Sequence, residues 1–270
     1  MKNVFNFSRF GKYIAYDLRR IRSSYGLTFL ILALMPAVIY LISVVFGILN
    51  GKGWSVPSTQ LRLAVFFLTT GALLLSYPAS CYGFVTEKKS GSSWLMLPAS
   101  SFEKFLSMFV ITMVVLPVAY SVLYFGSDAL LSLTGHGYGP NLMSCIFREE
   151  GGVNMVSLDG NGVGTGAYPL YLAFETTALT YLLGAVFFRK NKVVKTILCL
   201  LVFSLIFMMV ATFIFSHFDM EWWKSSLLKL FGDNEDTVIL RVKVLANVFS
   251  WAVIALLGLG TFFRIKTLKH

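Results

Sequence analysis

The chain has 270 residues, is 56% hydrophobic and only 13% charged, and carries a formal net charge of +10. A soluble globular chain is about one quarter charged, because charge covers a water-facing surface, so this composition excludes an ordinary soluble domain and points to a membrane. Positive charge in a soluble chain would suggest nucleic acid, but basic loops gathered on one side of a bilayer account for it, and no nucleic-acid partner is expected.

Residues 5–25 come first. Phe10, Tyr13, Ile14, Leu18 and Ile21 recur at three- and four-residue spacing, and Arg9, Lys12, Arg19, Arg20 and Arg22 occupy the other faces. That pattern predicts a basic amphipathic helix lying in the membrane interface. Uncharged apolar runs then follow at 27–49, 63–85 and 105–125, and again at 196–215 and 244–263; a further run, 168–188, holds one acid, Glu175. About 20 residues at about 1.5 Å each cover the hydrocarbon core. Six such runs predict an all-α polytopic protein, a single transmembrane domain of six helices with the amphipathic helix ahead of them. The first run is too long for the apolar region of a signal peptide and reads as an uncleaved anchor. Pro36, Pro78 and Pro117 lie inside runs and predict kinks.

Orientation follows from the basic connections. Most of the 23 lysines and arginines fall before the first run, between the second and third, between the fourth and fifth, and after the sixth. Both termini are therefore expected in the cytoplasm.

The cytoplasmic connection between the second and third runs, 86–104, has charge at both ends and an apolar middle containing Trp94. Ser92 or Ser93 is placed to cap a short helix that stops before Pro98, and Ser100 or Ser101 to cap the next, with Glu103 and Lys104 in its first turn. Such a helix at the membrane face suits either a groove on a soluble partner or simple interfacial anchoring of the Trp. On the outer side, 134–167 is a Gly- and Asn-rich irregular loop, and 219–230, with Trp222 and Trp223, suits an interfacial or re-entrant helix. Asp128 and Glu175 are the polar candidates near or within spans, since burying a carboxylate is costly unless it serves a purpose or reaches water.

Chemistry-bearing motifs are absent. There is no GxxxxGK[ST], HExxH or GxSxG, and Cys81, Cys145, Cys199, His136, His217 and His270 form no metal pattern. No catalytic residue, metal or cofactor is expected, and any ATP hydrolysis belongs to another chain.

The order of elements, together with the stretch Leu97-Pro98-Ala99-Ser100-Ser101-Phe102-Glu103-Lys104-Phe105-Leu106, resembles the permease subunit of ABC-2 type transporters, in particular members from Bacteroidota. The resemblance implies a bacterial inner-membrane location, a second permease chain and a separate ABC ATPase subunit. It makes 86–104 the coupling segment, with Glu87, Lys88, Ser93, Trp94, Leu95, Met96, Glu103 and Lys104 at the ATPase contact. It also implies that Trp94→Ala uncouples ATP hydrolysis without unfolding the spans. A non-transport reading, a scaffold, assembly factor or sensor using the outer loop, is the alternative.

Overall fold

The computed structural model describes residues 5–135, 137–147, 167–217 and 235–268. Among these the regular structure is all helical, with no strand. Four helices are long and apolar enough to cross a membrane, five when a bent N-terminal pair is taken as one span.

Helix α1 (Phe7–Ala33) opens on Asn6, whose side chain accepts from the Ser8 and Arg9 amides. It runs unbroken through Gly26, so the basic amphipathic stretch continues without a break into the first apolar run as one 27-residue helix. The break comes at Leu34, before α2 (Met35–Leu49), with a bend of 46°. Pro36 explains the position: it has no N–H to give, and its ring crowds the carbonyl one turn earlier. A lone glycine, by contrast, lowers helix stability without ending the helix.

Helix α3 (Thr59–Tyr82) carries Pro78 internally and ends in a 3₁₀ turn, Gly83–Thr86. The short α4 (Lys88–Leu95) starts after Glu87, whose side chain makes no capping bond, so Ser92 and Ser93 lie inside the helix and not ahead of it; it does stop before Pro98. Helix α5 (Ser101–Val110) begins with a complete capping box: the Ser100 hydroxyl takes the Glu103 amide, and Glu103 takes the Ser100 amide.

A π-helical turn, Ile111–Val115, joins α5 to α6 (Leu116–Ser132). Its cause is again a proline. Pro117 cannot bond the Met113 carbonyl, and the Leu116 amide reaches back five residues to Ile111 instead. The freed Met113 carbonyl takes the Tyr171 hydroxyl at 3.3 Å, a neighbouring helix thus supplying the missing donor.

After α6 comes the short α7 (Leu142–Phe147). Then come α8 (Ala167–Phe187), α9 (Lys192–His217) and α10 (Glu235–Thr267). Helix α8 packs against α3, α9 and α10 and lies at the centre of that half of the bundle. Its apolar part, Tyr171–Phe187, is shorter than the other spans. Helix α9 leaves its apolar length exposed and touches the rest at its start, where a methyl on Gly184 would collide with the Thr196 side chain.

The core is unusually aromatic. Tyr25, Tyr77, Tyr82, Tyr120 and Tyr124 are all buried in it, with Tyr25–Tyr77 at 5.7 Å and Tyr120–Tyr124 at 5.4 Å between ring centroids. Hydroxyl partners make this tolerable: Tyr120 pairs with Thr69 at 2.8 Å, Tyr25 with Ser76, and Tyr82 with Asp17. Residues 219–230 and most of the 134–167 loop lie outside the described residues.

Candidate functional site

The residues that the sequence nominates fall at opposite ends of the bundle. At one end, α4 is braced from inside against α1 and α5. The Trp94 indole N–H donates to the Tyr13 hydroxyl at 2.9 Å. The Lys104 ammonium, from α5, donates to the Trp94 and Leu95 carbonyls at 2.9 and 3.1 Å and sits 4.8 Å from the Trp94 ring centre. A cation on the last carbonyls of a helix satisfies groups that have no intrahelical donor.

Next to it, Glu103 is fully buried and takes three hydrogen bonds from Arg9 at 2.6–3.0 Å. It also accepts the Asn6 amide at 3.0 Å and the Ser100 amide at 2.8 Å. A carboxylate fed by a forked guanidinium and two amides is a charge-assisted knot between the start of α1 and the start of α5. Deeper in, buried Asp17 pairs with Arg20 at 2.8 Å and accepts from Ser107 and Tyr82, joining α1, α3 and α5. Arg20 also donates to the Cys81 carbonyl and stacks 4.0 Å over the Phe84 ring.

Trp94 is 2% exposed and Lys104 3%, so neither side chain presents itself to another protein, and nor does buried Glu103. The residues that do face out are Met96, 84% exposed, with Ser93 and Glu87. Four consecutive residues travel once around a helix at about 100° each, so Ser93, Trp94, Leu95 and Met96 cannot share one face. That geometry is the signal by which the sequence separates an inward Trp94 from an outward Met96. A recess of about 290 Å³ opens beside Ser93 between α1 and α4, lined by Tyr16, Arg20, Phe84, Ser90, Ser93, Leu97 and an edge of the otherwise buried Trp94. Glu87 turns sideways, accepting from Ser90 at 2.9 Å and lying 3.5 Å from Lys192 at the start of α9. Only the backbone of Lys88 is described, as the first residue of α4.

At the other end, Asp128 and Arg62 form a forked, almost fully buried ion pair, with contacts of 2.7–3.1 Å. Asp128 also takes the Tyr138 hydroxyl at 2.7 Å and the Leu142 amide at 2.5 Å, at the N-terminus of α7. Arg62 donates to the Tyr138 and Pro140 carbonyls and stacks 4.1 Å over the Tyr138 ring. Burial pushes the Tyr138 phenol above its ordinary range, and the adjoining carboxylate adds to that. Asp128 is therefore the hub of a clamp on the connection between α6 and α7, and Arg62 and Tyr138 are its partners.

Glu175 is different. It is fully buried in α8, and neither oxygen meets hydrogen-bond geometry with any described group. The polar group beside it is the Tyr171 hydroxyl, one turn earlier, which is itself directed at Met113. No cluster of three metal-ligating side chains occurs among the described residues.

Compared with models of protein families, with curated proteins and with solved structures, the chain matches none of them.

Proposed function

We propose that this chain is the permease subunit of an ABC-2 type transporter in a bacterial inner membrane. It has six spans and both termini in the cytoplasm, and it pairs with a second permease chain. A separate ABC ATPase docks on the outward face of α4 and couples ATP hydrolysis to export or to conformational work.

The observation that carries this reading is the bracing of α4. A short helix between two long apolar ones is tied to α1 by Trp94–Tyr13 and to α5 by Lys104, and α1 and α5 are tied to each other by Arg9–Glu103. A push on the exposed face of such a helix moves three elements together instead of bending one loop. A ligand shifts a two-state bundle by the difference in its affinity for the two states, and a rigid docking helix transmits that difference. Exposed Met96 and Ser93, beside the recess between α1 and α4, are the contact this reading assigns to the ATPase.

The test is ATP hydrolysis by the reconstituted pair. Met96→Arg puts a charge on the docking face without touching the internal braces, and is expected to return hydrolysis to the level of the ATPase alone while the permease remains monodisperse. Hydrolysis that stays stimulated by Met96→Arg and by Ser93→Arg contradicts the assignment.

A further inference from the structure

Between α1 and the π-helical turn lies an open cavity of about 470 Å³. That is within the range of about 300–1,000 Å³ typical of small-molecule sites. Leu18 and Leu30 of α1 face Ile111 and Ala119 across it, and of all its lining residues only Arg22 is charged.

Arg22 has a special position in the sequence. It is the last charged residue before an uncharged stretch that runs to Lys52, so it marks where α1 leaves the headgroup region. The groove continues from Arg22 to Leu30, eight residues or about 12 Å along the helix, into the apolar layer. Gly26 lies one turn past Arg22, and a methyl there would sit 3.6 Å from the Arg22 Cγ. The arginine stem therefore lies along α1 beside the groove. Arg22 is exposed and forms no ion pair among the described residues, unlike Arg9, Arg20 and Arg62.

We propose that this groove holds one acyl chain of an anionic phospholipid whose phosphate pairs with Arg22. In a bilayer an apolar wall gains little by exchanging one hydrocarbon chain for another. The groove's shape, made by the wide turn ahead of Pro117, thus selects for a chain, and the arginine selects the headgroup. A planar guanidinium meets phosphate oxygens through two parallel donors, and a single basic residue at the surface favours an anionic lipid about fivefold. The proposal rests on the chain being membrane-spanning and needs no ATPase, so it stands or falls separately from the docking of α4.

The experiment is native mass spectrometry of the full chain released from micelles doped with equal amounts of palmitoyl-oleoyl phosphatidylglycerol and the matching phosphatidylcholine. The unaltered chain is expected to retain one phosphatidylglycerol in roughly fivefold excess over phosphatidylcholine. Arg22→Gln, an exposed change that leaves the core intact, is expected to bring the two lipids to parity. Ala119→Phe, which fills the groove, is expected to reduce retention of both several-fold, with circular dichroism confirming an unchanged helix content. An Arg22→Gln chain that keeps the fivefold preference overturns the headgroup assignment. Retention by a folded Ala119→Phe chain equal to that of the original overturns the groove.

Discussion

Trp94 and Tyr13 are 81 residues apart in the chain and joined by a 2.9 Å hydrogen bond in the interior. The resemblance to ABC-2 permeases makes Trp94 a residue that reaches for a partner protein; the structure makes it a residue that holds α4 to α1. The expectation that Trp94→Ala uncouples a transporter while leaving its spans intact changes accordingly. Removing a buried indole costs about 3–5 kcal/mol, so Trp94→Ala is expected to lower the thermal midpoint in detergent sharply. Trp94→Phe keeps most of the volume and loses the bond, for about 0.5–1.5 kcal/mol. In a double-mutant cycle, Trp94→Phe and Tyr13→Phe should couple; additive losses would break the link between them.

The Arg62–Asp128 pair is buried at both partners, 4% and 1% exposed. Removing one member leaves an uncompensated charge, at about 3–5 kcal/mol. Asp128→Asn and Arg62→Met should each destabilise the chain strongly, and the double variant Arg62→Met/Asp128→Leu should lose less than either. Thermal unfolding of the three variants side by side checks this; a double variant worse than both singles would contradict a pair held together chiefly by mutual compensation.

Tyr171 donates to the carbonyl that Pro117 leaves free. Tyr171→Phe should cost about 0.6 kcal/mol, the average for an interhelical hydrogen bond inside a membrane. Pro117→Ala restores the amide that the Met113 carbonyl lacks. In that background Tyr171→Phe should cost almost nothing, as read by denaturant midpoints. An equal cost in both backgrounds would separate the tyrosine from the proline.

Neither oxygen of Glu175 meets hydrogen-bond geometry with a described group, and the Tyr171 hydroxyl beside it is directed at Met113. An amide of the same shape therefore breaks no bond, and Glu175→Gln should leave the thermal midpoint unchanged or raise it. Glu175→Ala opens a cavity and should lower it, by an amount set by how far the site collapses. A large loss in Glu175→Gln, matching Glu175→Ala, would show that the carboxylate has a partner that only an acid can satisfy.

The long apolar helices were legible in the sequence because hydrocarbon thickness sets their length and charge is excluded from them. Helix ends were legible where a cap has a chemical signature, as at Ser100 and Glu103, and α4 stops before Pro98 as the proline requires. The sequence pattern suggests a first break at Gly26, because an apolar run beginning just after a glycine looks like a new element; the interruption lies instead at Leu34, just ahead of Pro36. What the sequence could not show was pairing. Arg62 and Asp128 are 66 residues apart, and Arg9 and Glu103 are 94 apart, so nothing local marks them as partners. Asp17 and Arg20, three apart on one helix, were the exception that spacing could have found. Within α4, an apolar cluster was read as a single outward surface although consecutive residues cannot share a face.

In the proposed reading a separate ATPase sits on the outward face of α4. Affinity purification of the tagged chain from its own cells in mild detergent, with mass-spectrometric identification of what accompanies it, tests this most directly. A protein carrying GxxxxGK[ST] should accompany the chain in near-equal amount, be lost from the Met96→Arg chain and be retained by a conservative Met96→Leu chain. Recovery of the intact chain with no such protein, in repeated preparations, would contradict it.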